Sequence, residues 1–75
     1  MEHHLKIKPE YLTRIINEQK TFEIRFNDRD YQVGDFLILD DGDRPSPKVE
    51  VTYISSYPDA IKDGWVILAI KWATK

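Results

Sequence analysis

Apolar and polar residues alternate at the N-terminal end of the chain, as they do in a half-buried strand. In residues 4–8, Leu5 and Ile7 fall on one face of an extended backbone. Pro9 suits the first turn of a helix, because an N–H there would have no intrahelical partner. The next apolar residues form one helical stripe: Tyr11, Leu12, Ile15 and Ile16. The pattern therefore predicts a short packing helix that begins at Pro9 and ends near residues 17–19.

From Lys20 the period changes to two, which is typical of a second strand over residues 20–26. Its apolar residues share one face and are expected to point inward: Phe22, Ile24 and Phe26. The other face is a polar row that we expect on the outer or cavity-facing side: Thr21, Glu23 and Arg25. With Lys20 at its start, this row is the most unusual local feature of the sequence.

Three more strands are predicted in the second half of the chain. Residues 36–39 are a continuous apolar run, which is typical of a strand covered on both faces. Residues 48–55 alternate, with Tyr53 on the same face as the two valines before it, and residues 65–72 form a β-branched and aromatic strand that we expect to be central. Residues 40–47 contain Gly, two Pro and three Asp, and they predict a mobile hairpin loop.

The predicted order is β-α-β-β-β-β, with the helix inserted after the first strand. Turn residues at 27–30 and at Val33-Gly34-Asp35 connect the second and third strands. Short apolar strands usually close into a barrel to avoid exposed edges, and the helix can cover one opening. The fold class is therefore α+β, a small β-barrel of about five strands, and residues 1–75 are expected to form one domain.

Composition narrows the choice of partners. The chain has 11 Lys and Arg against 13 Asp and Glu, a formal net charge of −2, so bulk charge does not favour nucleic acid and any such site must be local. It has no Cys, which excludes disulfides and fits a reducing compartment. No signal-peptide pattern or membrane-length apolar run is present, and we expect a cytoplasmic protein without a membrane partner.

Metal sites and cofactors are not expected. His3 and His4 are neighbours on a strand and point to opposite faces, which is the wrong geometry for a site with two His ligands. Asp40, Asp41 and Asp43 lie close together, but the remaining ligands of a calcium-binding EF-hand loop and its closing Glu are missing. We interpret both groups as structural or solvated.

Residues 20–25, Lys-Thr-Phe-Glu-Ile-Arg, followed by the Gly34-Asp35 turn, resemble the signature of the ASCH superfamily, G-x-K-x-x-T-x-R with a later G-D turn. Residues 3–11 and 27–35 resemble one group of small bacterial and phage proteins in that superfamily, described as RNA-binding. The resemblance covers nearly the whole chain. It implies a PUA-like barrel associated with nucleic acid.

Two positions depart from the signature. The glycine is replaced by Glu18, and we expect Asn17 to adopt the left-handed conformation that ends the helix. The threonine is replaced by Glu23. Some small ASCH members resemble amidohydrolases acting on acetylated cytidine with the signature Lys and Thr, and this chain lacks that hydroxyl nucleophile.

The first functional hypothesis is an RNA- or nucleotide-binding module. Lys20, Glu23 and Arg25 would line a cleft in which the cations hold a phosphate or base edge and Glu23 accepts from a base amino group. The alternative is that Glu23 and Arg25 form only a solvated or barrel-mouth ion pair. Arg29 is a further candidate, although Asp28 and Asp30 could instead hold it in an ion pair that fixes the loop. Tyr31 and Tyr57 lie beside turns, and we expect them to be the exposed aromatic residues on which a base could stack.

Two other functions remain open. A small amidohydrolase acting on a modified nucleoside such as acetylcytidine would use Lys20 as base or nucleophile and Glu23 as acid/base. A phage or bacterial protein-interaction factor would engage a protein partner through apolar edges, and the acidic pI near 5.6 is compatible with this function.

Overall fold

Five strands and one helix make up the regular structure of the computed structural model, which describes residues 1–73. In chain order they are β1 (Glu2–Lys6), α1 (Pro9–Ile16), β2 (Phe22–Phe26), β3 (Phe36–Asp40), β4 (Lys48–Ser55) and β5 (Trp65–Trp72). The predicted order of helix and strands is confirmed. Strand β1 begins and ends two residues before the predicted range, and the helix ends at Ile16, just before the predicted range.

The five strands form one curled sheet in the order β1-β3-β4-β5-β2. β1 pairs with β3 in parallel, and the other pairs are antiparallel. β5 is an interior strand, as predicted. The sheet is a curled half-barrel, and within residues 1–73 each of its two end strands, β1 and β2, pairs with a single neighbour. The structure thus agrees with the predicted α+β class of five strands and one helix, and its sheet is barrel-like in its curvature.

One hydrophobic core fills the concave side of the sheet. The helix contributes Leu12 and Ile15, the middle of its apolar stripe, whereas Tyr11 and Ile16 at the margins of the stripe stay largely exposed. The fully buried large side chains are Leu12, Leu37, Leu39, Leu68, Val49 and Val51. Burial of this set removes apolar surface from water, which is the main stabilising term for a chain of this size.

The helix ends in a Schellman motif. Glu18 adopts the left-handed conformation with φ 61°, and its N–H donates to the carbonyl of Ile15 at 3.0 Å. The N–H of Gln19 donates to the carbonyl of Arg14 at 2.8 Å. Asn17 has φ −82°, so the expectation that Asn17 is left-handed is wrong. The unusual conformation falls on the residue that replaces the signature glycine.

A β-bulge reverses the orientation of the second half of β4. The pairing of β4 with β5 shifts between Val51 and Tyr53. One extra residue in a strand exchanges the faces of all residues beyond it. Tyr53 is therefore exposed and Ile54 packs against the core, contrary to the predicted inward orientation of Tyr53.

Asp41 accepts several hydrogen bonds within the β3–β4 hairpin loop, the loop that is predicted to be mobile. The carboxylate of Asp41 accepts hydrogen bonds from the backbone N–H of Arg44 and of Asp43, each at 3.0 Å, and from the Arg44 side chain at 2.9 Å. These hydrogen bonds lower the pKa of Asp41 to about 2. Arg44 also donates to the carbonyl of Pro9, which joins the loop to the start of α1.

Within residues 1–73, no helix is both long enough and apolar enough to cross a membrane.

Candidate functional site

A groove of about 710 Å³ lies along the side of the sheet where β1 and β2 approach each other without pairing. All five site residues predicted from the sequence come from β2, from the two residues before it or from the loop that follows it, and all of them line this groove: Lys20, Glu23, Arg25, Arg29 and Tyr31. The structure therefore brings the predicted residues together in one cleft.

The faces of β2 are opposite to the expected ones. Phe22, Ile24 and Phe26 are 40%, 43% and 52% exposed, so the prediction that they point into the core is wrong. The reason is the register with β5: Glu23 lies opposite Leu68 and Arg25 opposite Val66, both inward-facing. The polar row is therefore the cavity-facing row of β2.

Glu23 is the centre of a three-residue ion cluster. Its side chain is buried, and one carboxylate oxygen accepts a hydrogen bond from the Lys20 ammonium. The other oxygen accepts from Nε of Arg25 at 2.8 Å. The side chains of Lys20 and Arg25 are 17% and 22% exposed, so the cluster is mostly shielded but both cations keep some contact with water. The Glu23–Arg25 ion pair of the alternative interpretation is therefore present, and it is mostly shielded rather than fully solvated.

Two arginines bridge the unpaired edges of the sheet. Arg25 donates from Nη2 to the carbonyl of Lys6 at 2.9 Å, and Arg29 donates from Nη1 to the carbonyl of His4 at 3.2 Å. Among the described residues, Arg29 forms no ion pair with the aspartates beside it, so the loop-fixing pair is not observed. Both arginines thus close the gap between β1 and β2 while keeping part of each guanidinium available to the groove.

Tyr31 is buried, which corrects its prediction as an exposed stacking residue. Its backbone N–H donates to the side chain of Asn27 at 3.0 Å, which folds the loop back onto the core. The ring packs edge-on against His3 with centroids 4.9 Å apart. Burial raises the pKa of the Tyr31 phenol. Tyr57 is exposed as predicted, but it does not line the groove.

The groove is strongly basic in a chain of negative net charge. Five cationic side chains and two carboxylates line it, a local formal charge of +3: Lys6, Lys8, Lys20, Arg25 and Arg29 against Glu23 and Asp28. Five of the nine aromatic residues of the chain also line it: Tyr11, Phe22, Phe26, Tyr31 and Trp65. Cations beside aromatic surface are the chemistry that binds phosphates and bases together.

Several polar residues considered above lie outside the groove. His3 is buried and shares a 2.8 Å hydrogen bond with Asp35, whereas His4 points outward, which confirms their opposite orientation. Burial alone would raise the pKa of Asp35, but hydrogen bonds from His3 and from the backbone N–H of Gln32 outweigh it and lower the pKa. Thr21 lines a second cavity, of about 520 Å³. No cluster of three or more His, Asp or Glu suited to a metal occurs in residues 1–73.

Comparison with known proteins identifies the family. Residues 2–70 match the family described as a domain of unknown function (DUF3850). The chain belongs to the DUF3850 family. Among curated proteins, no sequence matches this DUF3850 chain.

A solved structure has the same fold. The DUF3850 chain is similar to the crystal structure of hypothetical protein PH0355, with a TM-score of 0.74 and 20% sequence identity. The similarity covers 96% of this chain and 99% of that one. The structural similarity supports the curled sheet with one helix, but at 20% identity it gives no information about activity. The function of the DUF3850 chain must therefore be argued from the groove.

Sequence reasoning missed the aromatic and lysine part of the DUF3850 groove. Phe22, Phe26 and Trp65 were assigned to the core or to a central strand, and Lys6 and Lys8 were seen only as the polar half of an alternating strand. One signal in the sequence could have revealed this. Strand β2 alternates large apolar residues with Glu and Arg, so either of its faces could point inward. The buried ion cluster decides between them, and it becomes visible only in three dimensions.

Proposed function

We propose that this protein is a single-stranded RNA- or nucleotide-binding module of the ASCH type with a PUA-like fold, and that the β1–β2 groove is its binding site. One observation carries the proposal: a groove of local formal charge +3, lined by aromatic rings, in a chain whose net charge is −2. Such a distribution concentrates positive potential where bases could also stack. Lys20 and Arg25 of the signature lie at its centre.

Lys8 offers the cleanest test of the groove. It is exposed, lines the groove and is the N-cap residue of α1, where a negative charge is favourable to the helix dipole. Lys8→Glu should therefore weaken RNA binding without weakening the fold. The matched control is Lys62→Glu, which makes the same charge change at an exposed residue outside the groove.

The assay is fluorescence anisotropy with a labelled single-stranded RNA between about 50 mM and 200 mM salt. We expect affinity to fall with salt, by a logarithmic slope of about 0.7 for each phosphate contact. Lys8→Glu should lower both the affinity and the slope, and Lys62→Glu should change neither appreciably. Absence of binding at low salt would refute the function, and equal effects of the two variants would refute the site.

A protein-interaction module is a second candidate, because the outer face of β2 exposes an apolar row. Phe22 and Ile24 belong to this row, and both are at least 40% exposed. Exposed apolar surface of this kind often marks an interface. Ile24→Lys should then abolish capture of a specific protein partner in a pull-down, with and without ribonuclease. A partner that is captured only when RNA is present would contradict this candidate.

The amidohydrolase has less support. Among the groove-lining residues of the described chain there is no Ser, Thr or Cys, and both oxygens of Glu23 are already engaged by Lys20 and Arg25. A nucleophile would need an activated hydroxyl, thiol or free amine. Product release from acetylcytidine that is lost in Lys20→Ala would establish hydrolysis, and a flat time course would exclude it for that substrate.

A further inference from the structure

One end of the groove carries a pair of exposed aromatic rings. Phe26 and Trp65 are 52% and 37% exposed, and their ring centroids lie 6.0 Å apart at an interplanar angle of 66°. They are directly opposite each other in the pairing of β2 with β5. The sheet therefore holds the two rings side by side at the rim of the groove.

Gly64 supports one side of the Phe26 ring. A Cβ at Gly64 would lie 2.8 Å from Cε1 of Phe26, so the ring packs directly against the glycine backbone. The carbonyl of Gly64 also accepts a hydrogen bond of 2.8 Å from the N–H of Asn27, which anchors the turn to the end of β2. An aromatic ring supported in this way loses little conformational freedom when a ligand covers it.

The other accessible rings of the groove already have a partner. The ammonium of Lys20 lies 5.5 Å from the centroid of Tyr11 and 5.1 Å from that of Phe22. Among residues 1–73, no cation lies over the ring of Phe26 or Trp65. Since Glu23 accepts a hydrogen bond from Lys20, a base that stacks on Tyr11 or Phe22 competes with this ammonium, whereas the Phe26–Trp65 end has no such competitor among residues 1–73.

We propose that Phe26 and Trp65 form the stacking platform for one unpaired base of a single-stranded RNA, whose phosphates run along the cationic part of the groove. The proposal rests on the proposed function and specifies its ligand. The positive charge of the groove favours a polyanion. The exposed rings favour a nucleic acid whose bases have uncovered faces. In a duplex those faces are covered by neighbouring base pairs.

Trp65 reports on this platform directly. In a Trp72→Phe background it is the only tryptophan, and stacking of a base should quench its emission. We would titrate this protein with a single-stranded RNA oligonucleotide, the same RNA annealed to its complement, and inorganic pyrophosphate. Quenching is expected with the single strand and not with the duplex or pyrophosphate.

Variants at position 26 separate stacking from general apolar contact. Phe26→Ala should weaken single-strand binding roughly 5- to 140-fold, and Phe26→Tyr should retain it. Ile24→Ala is the matched control, because Ile24 is exposed on the same face of β2 but has no ring. Circular dichroism on each variant checks that the sheet is intact.

The outcomes distinguish this proposal from the one on which it rests. If anisotropy shows salt-dependent binding that Lys8→Glu weakens, but Trp65 emission does not change or Phe26→Ala behaves like Ile24→Ala, the platform is refuted and the groove stands. Equal quenching by duplex RNA would refute the preference for an unpaired base. If no RNA binds by either readout, both proposals fail.

Discussion

Replacing Glu23 by Gln tests the buried ion cluster, because it keeps the size and one acceptor of the side chain but removes its charge. Glu23 is 4% exposed and faces two cations that are themselves mostly shielded. A hydrogen bond to a charged group contributes about 1.5–3 kcal/mol, and breaking a fully buried pair costs about 3–5 kcal/mol. We expect a loss of about 1.5–3 kcal/mol, since the two cations can still reach water.

The measurement is thermal unfolding followed by circular dichroism. A domain of this size has about 4–11 kcal/mol of stability, so Glu23→Gln should remain folded at room temperature. Its Tm should fall by about 4–8 °C for each kcal/mol lost. The matched control is Glu50→Gln: Glu50 lies 4.0 Å from Lys71, with side chains 33% and 64% exposed, so about 1 kcal/mol or less is expected. Equal shifts for the two variants would refute the reasoning.

The same substitution should have the opposite effect on binding. Without the carboxylate of Glu23, the formal charge of the groove rises from the +3 counted over its lining residues by one unit. Affinity for single-stranded RNA at low salt should increase and depend more steeply on salt. A protein that becomes less stable yet binds more tightly cannot be explained by partial unfolding. Weaker binding by folded Glu23→Gln would contradict the electrostatic argument.

Three further changes test backbone and loop features away from the ion cluster. Glu18→Gly should stabilise the protein by about 0.5–1 kcal/mol in urea unfolding, because glycine adopts the φ of 61° without strain; no gain would contradict the assigned helix end. Gly64→Ala should cost roughly 0.5–1.5 kcal/mol more than Gly42→Ala, because both glycines have positive φ but only a Cβ at Gly64 would force the half-exposed ring of Phe26 to shift. Asp41 has a folded pKa of about 2 against 3.8, so its stabilising contribution is complete above pH 3.8 and is lost as the pH falls through 2. Between pH 3.8 and pH 2, the Asp41→Asn variant should therefore lose less stability than the unmodified protein. An equal loss in the two proteins would refute the lowered pKa of Asp41.

The sequence predicts the elements of this fold well, because periodicity is a local property. The helix start at Pro9 and the range of β4 agree with the structure. What periodicity cannot supply is the direction of a face. Phe22, Ile24 and Phe26 share a face as predicted, but the pairing with β5 turns that face outward. Only the neighbouring strand carries that information.

Two smaller errors have the same origin. The bulge that exposes Tyr53 depends on one unpaired residue in the β4–β5 ladder, which leaves no trace in the hydrophobic pattern. Tyr31 lies beside a turn, where aromatic residues are often exposed, but a hydrogen bond from its N–H to Asn27 folds it inward. In each case a long-range or side-chain contact overrides the local preference.

The candidate site was found from the sequence for a different reason: Lys20, Glu23 and Arg25 form a charged row along one face of a predicted strand. Arg25 satisfies two needs at once, since it neutralises Glu23 and donates to the carbonyl of Lys6 on the opposite strand. The two arginines that close the gap between β1 and β2, Arg25 and Arg29, are therefore also among the five cations that make the groove basic. It follows that loss of binding in an Arg25 variant would be ambiguous, because the groove itself depends on that side chain. Within residues 1–73, Lys8 and Phe26 contribute charge and ring surface without a hydrogen bond across the gap, so they are the positions at which ligand binding can be tested without disturbing the groove itself.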